Sequence, residues 1–391
     1  MRNLRQVVVC LALPALAFGV AACGGDEDEG SNAGSSGTKQ ANANCTAQIG
    51  VMAPITGQVA QIGGEQMNFA KLAVEQDNAK NKTKITVVEG DTQLQPAQAT
   101  TVSRQFVSND KIVAIVGPAG SQEVSAIGSQ ITRAGLAAVA GSATATDLTE
   151  KGSFPTFFRV VPRDDVQGPQ DAQYIVDNLK PKAVMLVDDQ TSYSTGLADA
   201  MAPVLEKAGV KVDRESVSQK QTDFSSLVSK VTADTGVVIL PWQVAANGQQ
   251  FGENLSEQNK KAVIFGTDGL YSPDQFKIPG SYVSSFAPDI TGVPGDEELV
   301  KVAKQKFGTF GTFGPGTYAA THVVNEAIAA VCKAGDTPSR KHVLEQIKKT
   351  NLTESILGQP IKFDEKGDLI GAKFFLFKVG EGGKYELVPS A

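Results

Sequence analysis

Short hydroxyl side chains follow two apolar segments of the sequence, where they could bind a small anionic group. The segment GSATATDLT (Gly141–Thr149) follows the apolar run LAAVA, and its Ser142 and Thr144 stand between residues with almost no side chain. The segment GPAGS ends at Ser121, where we expect a helix to begin, and a Gly-rich turn into a helix presents free N–H groups. Ser and Thr are also ordinary helix caps, so either turn alone is a weak signal. Together they predict a site for a carboxylate, with backbone groups open to close approach.

Three residues with charged or aromatic side chains stand just past predicted strand ends in the second half of the chain. They are Tyr193 in VDDQTSYSTG, Trp242 in VVILPWQ and Asp268 in VIFGTDG. Trp242 has an alternative interpretation as a packed core or surface aromatic, and Asp268 as a helix cap or turn residue. In a dry site, an aspartate could instead neutralise a ligand ammonium group, since an unpaired buried charge is costly. Such an arrangement suits a zwitterion held between two lobes.

The sequence lacks the recognised signatures of catalysis, metal binding and nucleotide binding. Its two histidines, His322 and His342, fall on separate predicted helices, and no Cys/His spacing fits a zinc site. There is no P-loop, no G-x-G-x-x-G after a strand, no G-x-S-x-G and no H-E-x-x-H. We therefore expect a binding protein rather than an enzyme, with no metal and no cofactor.

The segments that position these residues alternate between strands and helices from residue 47 onward. Predicted strands are QIGVMAP, KITVVEG, IVAIVGP, LAAVA, AVMLVDD, KVDRESV, GVVILP and AVIFGTD. Predicted helices are Gly63–Ala79, Gln95–Asn109, Ser121–Ala134, Gln167–Leu179, Thr195–Ala208, Phe224–Ala233 and Ala245–Gln258. Repeated strand–helix units imply parallel sheets with right-handed crossovers, and this many units predicts two doubly wound α/β lobes rather than one wide sheet.

The alternation breaks after SYVSSFAPD. Three helices are predicted there, at Gly295–Phe307, Tyr318–Ala334 and Ser339–Thr350. The low-complexity stretch Phe307–Gly316 is expected to be a surface loop. The segment QPIKFDEKGDLIGAKFFLFKVG predicts a hairpin with its turn at Glu365–Asp368.

Composition and the N-terminus indicate an exported protein. The 391 residues carry a net charge of -6 without a long Lys/Arg block, which argues against a nucleic-acid partner. Two arginines precede the apolar run Val7–Val20, which is too short to span a bilayer comfortably, and small residues lead into Cys23. The pattern predicts a lipoprotein signal peptide over 1–22, a lipidated Cys23 and a flexible tether over 23–44. An ordinary secretory signal, with Cys23 incidental, is the alternative.

An exported protein can form disulfide bonds. If Cys10 in the signal peptide and Cys23 at the lipidation site are set aside, Cys45 and Cys332 are the two cysteines that could form one. A bridge would tie the start of the first strand to a late helix, whereas two unrelated buried thiols are the alternative.

Seven segments follow one another along nearly all of residues 47–380. They are GVMAPITGQVAQIGGEQMNFAKLAVEQDNA, IVGPAGSQEVSA, GSATATDLTEKG with FFRVVPRDDVQGPQDAQYI, VDDQTSYSTGLA, DFSSLVSKV, FGTDGLYSP and GQPIKFDEKGDLIGAKFFLFKV. In this order they resemble the leucine/isoleucine/valine-binding proteins, the solute receptors of ABC importers. The resemblance implies the type I periplasmic-binding fold, with two parallel-sheet lobes and a three-crossing hinge.

The resemblance also implies roles for the candidate residues. Ser121 and Thr144 match the hydroxyl residues that hold the ligand carboxylate. The other matches are Ser142, whose carbonyl would take the ammonium, with Ala143 beside it, the aromatic positions Tyr193 and Trp242, and the ammonium-pairing acid Asp268. Ile62 departs from the family, which often has an aromatic there that covers the ligand side chain, so the side-chain pocket is expected to differ in shape.

The implied domains are lobe 1, formed by 45–162 with 289–357, and lobe 2, formed by 163–288 with 358–391. The hinge crossings are expected near Val161–Asp165, Phe286–Thr291 and Gly358–Phe363. The implied function is delivery of an amino acid, branched-chain or similar, to ABC permease subunits from the outer face of the cell membrane. A lipid-anchored sensor of an amide, urea or small carboxylate, acting on a signalling partner, is the alternative.

Overall fold

Two parallel-sheet cores organise residues 44–150 and 154–389, the parts of the chain that the computed structural model describes. The predicted signal peptide, Cys23 and all of the tether but Asn44 lie outside these residues. Within the two described ranges, no helix has the length and hydropathy needed to cross a membrane.

The first sheet is parallel throughout and forms the centre of lobe 1. Its strands are β1 (Thr46–Ala53), β2 (Lys84–Asp91), β3 (Ile112–Val116), β4 (Ala137–Ala140) and β5 (Phe157–Arg159), in the order β2-β1-β3-β4-β5. Strands β3 and β4 are buried along their whole length because helices cover both faces of the sheet, which explains their unbroken apolar sequences. Val116 pairs with Val139, so the loops after β3 and β4 begin side by side.

The second sheet forms the centre of lobe 2. Chain order gives β6 (Ala183–Asp188), β7 (Lys211–Ser216), β8 (Thr235–Leu240), β9 (Val263–Gly266), β10 (Tyr282–Ser285), the small separate pair β11 (Asn351–Leu352) and β12 (Ile361–Lys362), then β13 (Phe375–Val379) and β14 (Tyr385–Leu387). The sheet order is β14-β13-β10-β9-β8-β6-β7, with β13 and β14 antiparallel to their neighbours. Leu240 pairs with Gly266, so the loops after β8 and β9 also lie together.

Helices cover both sheets. They are α1 (Ala60–Asn81), α2 (Pro96–Ser108), α3 (Ser121–Arg133), α4 (Asp147–Glu150), α5 (Asp164–Tyr174), α6 (Ser192–Lys207), α7 (Ser225–Ser229), α8 (Ala245–Glu257), α9 (Glu297–Phe307), α10 (Phe313–Lys333) and α11 (Arg340–Ile347). A π-helical turn, Ile175–Leu179, extends α5. A disulfide joins Cys45 before β1 to Cys332 near the end of α10, with the Cα atoms 5.7 Å apart.

Helix α10 begins earlier than the predicted Tyr318, so the second half of the stretch expected to be a surface loop is a buried helical turn. The Glu65 carboxylate on α1 accepts hydrogen bonds from the backbone N–H groups of Gly311 (2.8 Å) and Gly314 (2.6 Å) at this end of the helix. A tertiary contact thus stabilises a helix start that the Gly- and Pro-rich sequence conceals.

The third hinge crossing lies later than the sequence predicted. Phe363 packs against Phe158 of β5 with ring centroids 5.2 Å apart, and Leu369 also lies in the lobe 1 core. The crossing to β13 therefore falls after Leu369, and the expected crossing at Gly358–Phe363 is wrong. The predicted hairpin is also shorter than expected. Its turn closes by a bridge between Phe363 and Leu369, but β13 pairs with β10 and β14 instead.

Candidate functional site

The loop Gly141–Thr149 leaves β4 at the face of lobe 1 that meets lobe 2. The first residue of the loop is a glycine because of close packing. A Cβ on Gly141 would lie 2.5 Å from the carbonyl carbon of Gly316 in α10. The Ser142 hydroxyl donates to the Ala119 carbonyl (2.9 Å) and accepts from the Gln66 amide (3.1 Å). The small residues of the loop thus allow it to pack closely against α10, and they also leave its backbone groups accessible near the cleft.

Ser121 supports this loop from behind instead of capping its own helix. The N-cap of α3 is Gly120, and the Ser121 hydroxyl accepts a hydrogen bond from the Ala145 N–H (3.1 Å). The Gly120 N–H donates to the Glu123 carboxyl (2.7 Å), whose pKa is raised to about 7 by burial. The helix N-terminus therefore already has an acidic side chain where we expected an external anion.

Thr144 is fully buried, and its hydroxyl faces the Asp164 carboxyl without a hydrogen bond of good geometry to it or to any other described residue. A ligand acceptor at this position would compete with Asp164 for the hydroxyl and would gain a well-aligned hydrogen bond. The adjacent Ala143 is also fully buried, and its carbonyl accepts from Arg159 (3.2 Å).

Lobe 2 contributes a charged hydrogen-bonded pair. The Tyr193 hydroxyl donates to Asp268 Oδ1 (2.7 Å) and lies 2.6 Å from the Thr267 hydroxyl. Asp268, only 2% exposed, begins a single helical turn after β9. Burial raises the pKa of Asp268 to about 6, although the Tyr193 hydrogen bond opposes the rise. Burial, with the nearby Asp268 charge, also raises the pKa of Tyr193 well above its usual value.

Two more buried acids stand close to this pair, on α5. Burial, followed by the negative charge of Asp268, raises the pKa of Asp164 to about 8. The pKa of Asp171 also lies well above its usual range, mainly because of burial. Asp268 therefore ionises first of the three, and at neutral pH it is the acid among them that can pair with a cation.

Four of the predicted residues line one cavity between the lobes: Ile62, Ser142, Tyr193 and Asp268. The remaining lining residues are Pro54, Val59, Leu94, Ala119 and Phe313 from lobe 1, and Gln243 and Gly269 from lobe 2. The cavity has a volume of ≈ 20 Å³, so a ligand of amino-acid size enters only when the lobes part. A larger cavity of ≈ 260 Å³ adjoins it at Ile62 and Phe313.

Trp242 does not line the cavity, which corrects the sequence prediction. Its indole N–H donates to the Val187 carbonyl (2.8 Å), and its ring packs against Phe224 in the lobe 2 core with ring centroids 4.9 Å apart. The next residue, Gln243, lines the cavity in its place. The loop after β8 thus contributes to the cavity through Gln243 rather than Trp242, and the sequence does not reveal which side chain turns toward the cleft.

Direct hydrogen bonds connect the lobes beside the cavity. The Gln122 amide nitrogen donates to the side-chain oxygen of Gln243 (2.8 Å). On another side, the Gln61 amide donates to Gln275 (2.8 Å). These pairs join α1 and α3 of lobe 1 to lobe 2, so the structure is a closed form.

One cluster in the described residues has the side chains of a metal site, formed by Asp77, His322 and Glu326. The Asp77 carboxylate oxygens already have hydrogen-bond partners. One lies 2.8 Å from His322 Nδ1, and the other accepts from the Asn325 amide (2.8 Å). Glu326 accepts from the Lys80 ammonium (3.1 Å), a cation that would repel a metal ion. We assign no metal here, and the cavity residues are not a recognised metal-binding set.

Solved structures of other proteins share this fold. A leucine binding protein, LivK, from Thermotoga maritima superposes with a TM-score of 0.80 at 21% identity, covering 88% of this chain and 97% of that one. The branched-chain amino acid transporter substrate binding protein LivJ from Streptococcus pneumoniae, solved with isoleucine, gives a TM-score of 0.77 at 22% identity, covering 88% and 99%. These likenesses establish the type I periplasmic-binding fold.

Relatives found by sequence are more similar in sequence to this chain than these two solved structures are. An amino acid binding protein of Pseudomonas aeruginosa is 29% identical over 351 residues, which cover 87% of this chain and 92% of that protein. A Leu/Ile/Val-binding protein homolog 3 of Brucella melitensis is 29% identical over 342 residues, which cover 85% and 91%. The family profile described as periplasmic binding protein matches residues 46–384. Since that match spans almost the whole of both lobes, the chain belongs to the periplasmic binding protein family.

Proposed function

We propose that this protein is an extracytoplasmic solute receptor of an ABC importer and binds an α-amino acid with a branched aliphatic side chain. The observation that supports the proposal is that the two lobes contribute different kinds of side chain to the cavity. Lobe 2 supplies the carboxylate of Asp268, whereas lobe 1 supplies Ser142 and an aliphatic wall. A zwitterion with an apolar side chain complements both halves.

The geometry supports one orientation of that ligand. Its ammonium group would pair with Asp268 beside the Tyr193 hydroxyl, because the pKa of Asp268, about 6, lies below that of the neighbouring Asp164. Its carboxylate would accept from the buried Thr144 hydroxyl. Its side chain would lie against Ile62 and the neighbouring residues Val59, Leu94 and Phe313, none of which carries a charge.

Closure of the lobes would convert binding into a signal for the transporter. A ligand that contacts both lobes binds the closed form more tightly and shifts the hinge equilibrium toward it. The Gln122–Gln243 and Gln61–Gln275 hydrogen bonds then form across the cleft. We propose that the permease recognises this closed shape and that the ligand is released to it chemically unchanged.

Cys23 would keep the receptor at its permease. The relatives belong to an extracytoplasmic family, and the sequence around Cys23 has the pattern of a lipidation site. Replacement of Cys23 by Ser is expected to release the protein from the membrane fraction into the soluble fraction. Persistent membrane association of that variant would contradict lipidation at this residue.

Isothermal titration calorimetry of the mature protein tests the proposed ligand class. The panel comprises L-leucine, L-isoleucine, L-valine, L-glutamine, urea and benzoate. We expect the three branched-chain amino acids to bind most tightly and to be recovered unchanged. Preferential binding of urea or benzoate would overturn the proposal, and conversion of a bound ligand would identify an enzyme.

A further inference from the structure

Arg159 is a fully buried charged side chain near the proposed site, yet it does not line the cavity. It ends β5 and is 0% exposed. Its guanidinium group donates to the carbonyls of Ala145 (2.8 Å) and Ala143 (3.2 Å), the two residues that flank Thr144. It also donates to the Thr149 hydroxyl (2.6 Å). One side chain therefore holds the Gly141–Thr149 loop at three points.

Asp368 connects this guanidinium to the hinge. Its Oδ1 accepts from Arg159 Nε (2.6 Å), and its Oδ2 accepts from Arg163 Nη1 (3.2 Å) in the first crossing. Asp368 closes the turn that precedes the third crossing. The Thr149 hydroxyl lies 2.8 Å from Asp368 Oδ2, so Asp368 also contacts the far end of the loop.

The turn that carries Asp368 is fixed against β5. The Arg159 N–H donates to the Gly367 carbonyl (3.0 Å). Gly367 has a φ of 92°, and a Cβ there would lie 2.4 Å from the Phe157 carbonyl oxygen, so glycine is required. The loop, the first crossing and the third crossing thus meet at one buried ion pair.

We infer that Arg159 and Asp368 are positioning residues for ligand binding. They would hold Thr144 in place and transmit its position to two hinge crossings, without touching the ligand. An arginine suits this role because its planar group has donors in several fixed directions, whereas a lysine has one compact ammonium that cannot reach the same acceptors together. The inference deepens the proposed function, since it concerns the loop expected to bind the carboxylate.

Two variants test the inference. Arg159→Lys keeps the charge but loses the multiple contacts, and Thr149→Val removes one hydroxyl from the loop with little change in volume. We expect hydrogen exchange of the loop amides at 145–150 to accelerate about tenfold in ligand-free Arg159→Lys, and about threefold in Thr149→Val, while β3 amides stay protected. L-leucine affinity, measured by calorimetry where each variant is fully folded, should fall by similar factors.

The control is Arg214→Lys, in lobe 2, because Arg214 also pairs with two acids, Asp188 (3.3 Å) and Asp199 (3.1 Å), but is partly exposed and far from the loop in the fold. It should leave loop exchange and affinity unchanged. If Arg159→Lys does not fold, the Thr149→Val result decides. Unchanged loop exchange with only a lower melting temperature would overturn the inference. If wild-type protein does not bind L-leucine, the proposed ligand class fails, whereas loop exchange still tests the positioning role.

Discussion

The two halves of the cleft differ in the chemistry of their side chains. The lobe 1 wall consists of small and apolar residues, Phe313 among them, with Ser142 as its polar side chain. The lobe 2 wall has a carboxylate, a phenol and an amide, from Asp268, Tyr193 and Gln243. Both walls come from loops at the carboxyl ends of parallel strands, where ligands bind in open α/β sheets. The same architecture thus supplies shape on one side and charge on the other.

This difference indicates which wall would recognise each part of the ligand. Under the proposed function, charge selection belongs to lobe 2, where burial raises the pKa of Asp164, Asp171 and Asp268, and that of Asp268 lies below that of Asp164. Side-chain selection would belong to lobe 1, where Ile62 and Leu94 contribute apolar surface without a charge. Variants of the charged wall should therefore have larger effects than variants of the neutral one.

Asp268→Ala should have the largest effect on affinity. Loss of a buried partner for an ammonium group costs about 3–5 kcal/mol, so L-leucine affinity should fall more than about 100-fold in calorimetry. The matched control is Asp188→Asn, which neutralises another buried acid at a strand end of the same lobe that does not line the cavity. Unchanged affinity in Asp268→Ala would remove Asp268 from the site.

The affinity should also decrease in acid. In the closed form without ligand the pKa of Asp268 is about 6, and an ammonium partner lowers it in the complex because it stabilises the carboxylate. Binding is therefore at full strength above pH 6 and weakens as the pH falls through that value, by about tenfold between pH 7 and pH 5. A titration series on protein shown by circular dichroism to be folded at both pH values measures this, and a flat profile would contradict it.

Thr144→Val tests the lobe 1 loop behind the neutral wall and should have a smaller effect. It removes one neutral hydrogen bond, worth about 1 kcal/mol, so affinity should fall about fivefold in the same titration. Thr146→Val is the control, since the Thr146 hydroxyl accepts from the Asp165 N–H (3.0 Å) in the same loop. Equal losses in both variants would show that the loop, rather than the Thr144 hydroxyl, is affected.

Gln122→Ala should have the smallest effect. It removes an inter-lobe hydrogen bond (2.8 Å) that forms when the lobes meet, while in the open form water replaces it. The closed form should lose less than 1 kcal/mol, which weakens L-leucine affinity about threefold. Calorimetry and small-angle scattering measure affinity and closure, and a loss as large as that of Asp268→Ala would reverse the comparison.

Much of this fold follows from sequence periodicity, and the exceptions have specific causes. The alternation of apolar strands and helices predicts most elements of both sheets. Strand β5 was not predicted, because Phe157–Arg159 is too short for a periodic signal. The start of α10 was missed because Gly314 and Pro315 suggest a loop, whereas a contact with Glu65 stabilises the helix there.

The predicted site residues lie on loops that reach the cavity, but not every predicted side chain lines it. Strand ends identified Ser142, Tyr193 and Asp268, which line the cavity, because parallel-strand topology brings such ends together. The sequence could not show that Gln243 rather than Trp242 faces the cavity. The direction of a side chain past a strand end depends on its packing against the core, and Trp242 packs against Phe224. Arg159 gave no local signal, because its partner Asp368 is distant in sequence.

The most direct test of the divided cleft compares L-leucine with 4-methylpentanoate, which has the same carboxylate and side chain but no amino group. Calorimetry on the wild-type protein at pH 7 measures both ligands. Because Asp268 would face no ammonium group, the account predicts that 4-methylpentanoate binds more than about 100-fold more weakly than L-leucine. Equal affinities would contradict the assignment of charge recognition to lobe 2.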